Sequence, residues 1–534
     1  MGKRIILAVD FDAFYCAVEE KRDPTLVGAP FIVYQKDCIA TLSYPARELG
    51  LHKLGSVAAA VRAHPHVRLV NGESLAPYRE QGKRLWTFVR AALPGCTIER
   101  LGLEEMWIDV TALVESNLAA LIEADVLFKG LSEEVTDGLD QGVRLSLATA
   151  AAAPEATTGP GEFCYSDGEE SSAAAPLETS FLCEDFFFQT PAHVFPTSHG
   201  ATMPAFLQTE SPNPEEFYLD FKLYIASHIA RELMLRISLG LGYSCSMGVA
   251  TNKTLAKMVG SLHKPGGLTV LISSAAREFM GVCHVHKVPY FGAKSRHTLQ
   301  DAMGHDSARD GDLRVESVWQ RYDRPQFSEL YPPGQGDKLW ALLQGEDDTP
   351  VRETGRVQKQ VSIEDTYKEL TSIPLAEQAL QPLLESLLRQ LRADMIGDDG
   401  AWLGFPTVLR LAVRVSTGPS TVSNRVSHSH TLTSFAPFYT LPELETSRDL
   451  AALAERMRHS LVVPMLHKLC VGQGFRLTGT GPIYFQLLNV AATGVVARKP
   501  VITSAAVKPA PTGPIRSAKP ARQRKMLDFY FTRK

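Results

Sequence analysis

The chain offers little that would tie it to a membrane or to a sulfur-bound metal. Its opening, MGKRIILAVD, reaches Asp10 after an apolar run of only five residues, too short for a signal peptide or a membrane span. A soluble, intracellular protein with no membrane partner is expected. The eight cysteines (16, 38, 96, 164, 183, 245, 283 and 470) form no CxxC pair and no Cys/His cluster at zinc spacing, which excludes a disulfide scaffold or zinc ribbon and predicts free thiols without a structural metal. Positive charge is nearly missing between residues 112 and 217, where eighteen acidic residues face only Lys129 and Arg144. Negative charge is nearly missing from the last forty residues, where ten Lys and Arg face Asp528 alone. Such a tail suits approach to a polyanion, although a merely soluble basic tail has the same composition. With 534 residues, 45% of them apolar, the chain has room for roughly three or four packed domains.

Short apolar runs at 5–9 (IILAV), 31–34 (FIVY), 67–70 (VRLV) and 106–110 (MWIDV) read as strands between helical patterns, an α/β or α+β core. The order loosens from about 112, and 151–216 holds too much Ala, Pro, Ser, Gly and acid to fold tightly. An acidic, largely disordered insertion is expected there. A long helix over 217–242 resumes the core and stops at glycine. Helical segments with Gly/Pro breaks fill about 276–356. Residues 358–495 give a long amphipathic helix flanked by alternating strands, TVLRLAVRVS (407–416) and PIYFQLLNV, as in an independent α+β module. The tail from 496 reads as flexible.

Chemistry concentrates at two places. LAVDFDAFYCAVEE (7–20) is an apolar strand that delivers Asp10 and Asp12 to its end and runs into an amphipathic helix whose N-terminus can receive phosphate. IERLGLEEMWIDVT (98–111) sets Glu104 and Glu105 before another strand. Either segment alone is ordinary strand-end acid. On adjacent strands they would gather three carboxylates, a cluster that calls for divalent cations. Two Mg²⁺ ions roughly 4 Å apart could then activate a hydroxyl and steady a departing pyrophosphate. Tyr44 and Arg47, three apart at a helical start in ATLSYPARELGL, and Lys264 of HKPGG supply groups for a triphosphate.

The ordered motifs LAVDFDAFYCAVEE, ATLSYPARELGL, LVNGESLAPYRE, IERLGLEEMWIDVT and CSMGVATNKTLAKMVGSLHKPGGLTVL resemble the palm and fingers of Y-family translesion DNA polymerases. ERLG before the acid pair and the QK of YQKDCIAT are more similar to the iota-like branch than to the eta-like one. The resemblance covers about 3–111 and 217–495. It implies an α+β right hand: palm at 1–30 and 81–275, interrupted by the insertion at about 112–216; fingers at 31–80; a helical, helix-hairpin-helix-like thumb at 276–356; and a little finger at 358–495. It implies Asp10, Glu104 and Glu105, with the Phe11 carbonyl, as ligands of two Mg²⁺ (or Mn²⁺), and Tyr15 as the gate against a ribose 2′-hydroxyl. Tyr44, Arg47 and Lys264 correspond to triphosphate contacts. Gln35, Lys36 and Thr41 correspond to finger residues over the nascent pair, a roof that in iota-like enzymes favours Hoogsteen pairing. The alternative for Tyr15 is a core aromatic.

Three departures stand out. Glu104 replaces the family's aspartate, one methylene longer. In HKVPYFGAKSRHTL, Tyr290 replaces the first glycine of a GxG turn that holds a DNA phosphate, leaving Gly292 and Lys294. The acidic insertion is longer than in relatives and is expected to loop away from DNA. Arg410 and Arg414 alternate along one strand face, either a solvated face or a duplex-tracking surface. QRKMLDFY resembles the peptide that inserts into the sliding clamp, proliferating cell nuclear antigen, through Gln523, Met526, Phe529 and Tyr530; a sticky aromatic terminus would look similar. The resemblance implies a nuclear, monomeric, low-fidelity polymerase acting on primer-template DNA and deoxynucleoside triphosphates. A catalytically weakened scaffold bridging clamp and damaged DNA, or a metal-dependent nuclease, are the alternatives.

Overall fold

The computed structural model describes residues 3–123, 192–195, 214–304, 313–355, 357–397, 400–418, 424–432, 441–444, 446–475 and 483–497. No described helix is long and apolar enough to cross a membrane. The chain divides into two compact units, Met1–Thr354 and Gly355–Lys534.

The first unit is built on a six-stranded sheet ordered Thr97–Arg100, Glu105–Asp109, Ile6–Phe11, Cys245–Ala250, Leu268–Leu271, His193–Phe195. The central strand Ile6–Phe11 is antiparallel to both neighbours, with Asp10 opposite Glu105 on one side and Ser246 on the other. ILAVDF is buried along nearly its whole length, as a strand covered on both faces must be. The helix Lys253–Val259 lies close on the sheet because Gly248 has no side chain: a Cβ there would meet the Ala256 carbonyl at 2.0 Å. The long helix Pro214–Leu241 buries Leu223, Tyr224, Ile225, Ile229, Leu233 and Ile237 in the same core.

Two expectations for the acidic stretch are corrected. Order does not loosen at 112, since the helix Thr111–Glu123 continues from the strand. His193–Phe195, inside the supposedly unpacked 151–216, pairs parallel with Leu268–Leu271 as a sheet edge. Three residues suffice when they meet an existing edge, even where the average composition is too polar to fold. The remainder of the insertion lies outside the described residues.

A smaller sheet, ordered Cys38–Leu42, Phe31–Gln35, Arg68–Asn71, carries its own core of Ile32, Ile39, Leu42, Ala46, Val57, Ala60 and Val67. Helices Ala276–Val282, Ala293–Met303, Val315–Arg321, Arg324–Ser328 and Gln335–Leu343 follow, and their buried residues join the core of the large sheet. The second unit is a four-stranded antiparallel sheet ordered Val361–Thr366, Tyr484–Thr493, Val408–Ser416, Arg425–Thr431. The helix Ile373–Met395, capped by Ser372, buries Leu380, Leu384, Leu387, Leu388 and Leu391 with it, the i, i+4, i+7, i+8, i+11 stripe of an amphipathic helix.

Candidate active site

The three carboxylates named from sequence stand at one end of two paired strands. Asp10 and Glu105 face each other in register, and the Phe11 amide donates to the Glu104 carbonyl at 3.3 Å. Each of the facing acids already has a cation. Lys264 Nζ pairs with Asp10 Oδ1, and Lys257 Nζ reaches Glu105 Oε2 at 2.7 Å. Among the described residues, no group of three His, Cys, Asp or Glu side chains is arranged to hold a metal ion as it stands. The donor set is nonetheless one a hard divalent cation prefers, carboxylate oxygens only, and its charge is under-compensated. Burial, then repulsion from Glu105 and Asp10, holds Glu104 above the usual carboxylate range. Burial raises Asp10 as well, against the pull of Lys264. For Glu105 burial acts upward, but the hydrogen bond and charge of Lys257 outweigh it and bring the carboxyl below its usual value.

Asp12 points elsewhere. It is buried and accepts from Ser244 Oγ and Ser246 Oγ, both at 2.7 Å, from the Gly266 amide at 2.8 Å and from Tyr44 Oη at 3.4 Å. With its acceptors so used, it ties the strand end to the loop carrying Lys264 and to the helix Tyr44–Glu48. That short helix, capped by Ser43, also carries Arg47, whose guanidinium lies 4.5 Å from the centre of the Tyr44 ring and donates to the Leu42 carbonyl at 3.3 Å. Tyr44 and Lys264 thus converge on the carboxylates from opposite partners, one through Asp12 and one through Asp10.

Tyr15 is the second residue of the helix Phe14–Arg22, which follows the strand carrying Asp10. Its ring stacks on Tyr78, centroids 4.0 Å apart and planes 2° from parallel. Tyr78 is fully buried and donates to Glu19 at 2.7 Å, and Glu19 pairs with Arg22 at 2.9 Å. The half-buried Tyr15 therefore rests on a fixed aromatic platform. Burial, then the charge of Glu104, raises its phenol pKa. In the small sheet, Gln35 Nε2 donates to the Gly72 carbonyl at 2.8 Å, and Lys36, at φ 55°, turns the hairpin with its amide on Glu73 at 3.0 Å. Thr41 is buried in the strand Cys38–Leu42.

Residues 9–261 match the model of the impB/mucB/samB family. Over that stretch the chain is similar to the impB/mucB/samB family. The chain is also 30% identical over 393 residues to DNA polymerase iota of Drosophila melanogaster, and 28% identical over 394 residues to DNA polymerase iota of Homo sapiens. To DNA polymerase eta of Arabidopsis thaliana it is 24% identical over 417 residues. These alignments take in 73%, 74% and 73% of this chain but 42%, 42% and 51% of the relatives, so the chain spans about half or less of their length. The resemblance to Y-family polymerases, with iota among the relatives, holds.

The matched stretch contains Asp10, Phe11, Tyr15, Gln35, Lys36, Thr41, Tyr44, Arg47, Glu104 and Glu105. Lys264 follows three residues past its end. Gly292 caps the helix Ala293–Met303, which begins with exposed Lys294. Before it, Tyr290 takes φ 69°, the left-handed conformation a glycine would adopt freely. Arg410 and Arg414 share one face of the strand Val408–Ser416 in the second unit, opposite buried Leu409, Leu411 and Val413. Gln523, Met526, Phe529 and Tyr530 lie outside the described residues. Sequence reasoning missed Lys257, Tyr78 and the anchoring role of Asp12. The pair Lys253 and Lys257, one helical turn apart in NKTLAK, carried a signal: Lys253 is buried on Glu99 at 3.2 Å, which leaves the second lysine for Glu105.

Proposed function

We propose that the protein is a template-directed DNA polymerase for translesion synthesis, extending a primer 3′ end with deoxynucleoside triphosphates at low fidelity. The observation that carries this reading is the convergence of Asp10, Glu104 and Glu105 at one strand end, with Lys264 paired to Asp10 and Tyr44, against whose ring Arg47 packs, bonded to the neighbouring Asp12, in a chain similar to polymerases iota and eta. In this reading Asp10, Glu104, Glu105 and the Phe11 carbonyl would hold two Mg²⁺, or Mn²⁺, which when bound lower the pKa of a hydroxyl and neutralise phosphate charge. Lys264, Tyr44 and Arg47 bind and orient the triphosphate: the guanidinium forks two phosphate oxygens and the ammonium supplies a point charge. Tyr15, backed by Tyr78, closes the space a 2′-hydroxyl would need. Gln35, Lys36 and Thr41 belong to the roof of the nascent pair. Gly292, Lys294, Arg410 and Arg414 contact duplex phosphates and so read no sequence. Gln523, Met526, Phe529 and Tyr530 dock the sliding clamp, and the protein acts in the nucleus as a monomer.

Two observations favour a second reading, a scaffold bridging clamp and damaged DNA: Glu104 is a methylene longer than the family's aspartate, and both facing acids are held by lysines. Single-nucleotide primer extension by wild type, Glu104→Ala and Glu104→Asp, in Mg²⁺ and separately in Mn²⁺, decides between them. Extension by wild type that Glu104→Ala loses by at least a hundredfold, about 3 kcal/mol of barrier, is expected. Binding without extension in either metal, with synthesis restored by Glu104→Asp, overturns the polymerase reading in favour of the scaffold.

A further inference from the structure

Beside the carboxylates lies a cavity of about 470 Å³ whose walls include Asp10, Glu105, Lys257, Lys264 and Lys287. The proposed reaction gives Lys264 to the triphosphate and leaves Lys257 with no task, although Lys257 is the group that holds Glu105. We propose that Lys257 is a built-in counterion: it neutralises Glu105 in the metal-free protein, yields that carboxylate to an incoming divalent cation, and then takes a phosphate of nucleic acid in the adjoining cavity. The inference rests on the polymerase reading and deepens it.

The Lys257–Glu105 pair is close, 2.7 Å, yet exchangeable, since the two side chains remain 35% and 31% exposed. Its backbone end is fixed. Lys257 sits on the helix whose Ala256 and C-cap Gly260 press against Gly248, whereas its four-carbon stem lets the ammonium swing. A dication that captures Glu105 would face three ammoniums around one cavity with one acid fewer to balance them. That repulsion opposes cation entry in the free protein and vanishes once an anionic backbone occupies the cavity. Metal and nucleic acid are thereby coupled, and the coupling is reciprocal. Removing the ammonium should loosen the coupling while making the bare carboxylates better ligands.

The test is Mn²⁺ titration of the full chain, read as the loss of the free-ion electron paramagnetic resonance signal. Wild type, Lys257→Met and Lys257→Arg are each titrated with and without a primer-template duplex. Without DNA, Lys257→Met is expected to bind Mn²⁺ roughly fivefold more tightly than wild type, the change that about 1 kcal/mol of a partly exposed ion pair corresponds to. Lys257→Arg should stay close to wild type. Added duplex should tighten Mn²⁺ on wild type and do so less on Lys257→Met. A misfolded variant would bind more weakly, so tightening is a readout that structural damage does not imitate. Equal Mn²⁺ affinity of wild type and Lys257→Met overturns the counterion proposal and leaves the polymerase reading standing. No uptake by any form, even with duplex, overturns both this proposal and the assignment of the metal ligands.

Discussion

Glu104 carries a penalty that the fold imposes on its charged form and that a bound cation would lift. Its carboxyl is held above the ordinary range by burial and by the charges of Glu105 and Asp10. The folded state therefore binds its proton more readily than the unfolded state does. Stability is lost as pH rises from the ordinary value of 4.5 through the raised one. Glu104→Gln removes that penalty. In chelator, the variant should melt at a higher temperature than wild type at neutral pH and at the same temperature well below pH 4.5. Equal melting at neutral pH would mean that the acid is adequately solvated. Added Mg²⁺ should raise wild type more than the variant. At this scale Asp10 and Glu105 were legible because each sits at the end of an apolar strand, and Glu104 because it directly precedes Glu105. Lys257 and Tyr78 were not, because their partners Glu105 and Glu19 are respectively 152 and 59 residues away in sequence, and periodicity carries no such information.

The turn Tyr290–Gly292 is an element whose sequence conflicts with its shape. Tyr290 holds φ 69° with its ring 60% exposed, so left-handed strain of about 1–2 kcal/mol is not repaid by burial. Tyr290→Gly relieves that strain but gives the unfolded chain more freedom, at a cost of about 0.5–1 kcal/mol. A net gain of about 0.5 kcal/mol is expected in denaturant unfolding, and a loss of about 1 kcal/mol for the stiffer Tyr290→Val. Should Tyr290→Gly lose more than about 1 kcal/mol, the ring is packing and the strain argument fails. The misplaced residue was visible in sequence because the flanking motif demanded glycine. The strand His193–Phe195 was not visible, since its reason for existing is the open edge of Leu268–Leu271 and not its own composition.

The division at Thr354 follows from where the hydrogen bonds stop. Up to that point the chain is strapped along the edge strand Thr97–Arg100: the Thr354 amide donates to the Ile98 carbonyl at 2.9 Å, and the Arg100 amide to Thr354 Oγ1 at 2.7 Å. Beyond it, residues 357–497 have a separate core, which the sequence announced through the leucine stripe of Ile373–Met395 and the alternating strand Val408–Ser416. A fragment of residues 355–497 should therefore unfold cooperatively by itself. On its sheet, Arg410 and Arg414 share one partly exposed face, a pair of positive charges that duplex phosphates would meet. The fragment is expected to bind duplex DNA of unrelated sequences with equal affinity that falls with salt. Arg410→Met and Arg414→Met should each flatten the logarithmic salt dependence by about one unit, the mark of one lost phosphate contact. Binding that ignores salt, or slopes unchanged in both variants, would return the two arginines to the packing of the sheet and leave the grip on the duplex to the first unit.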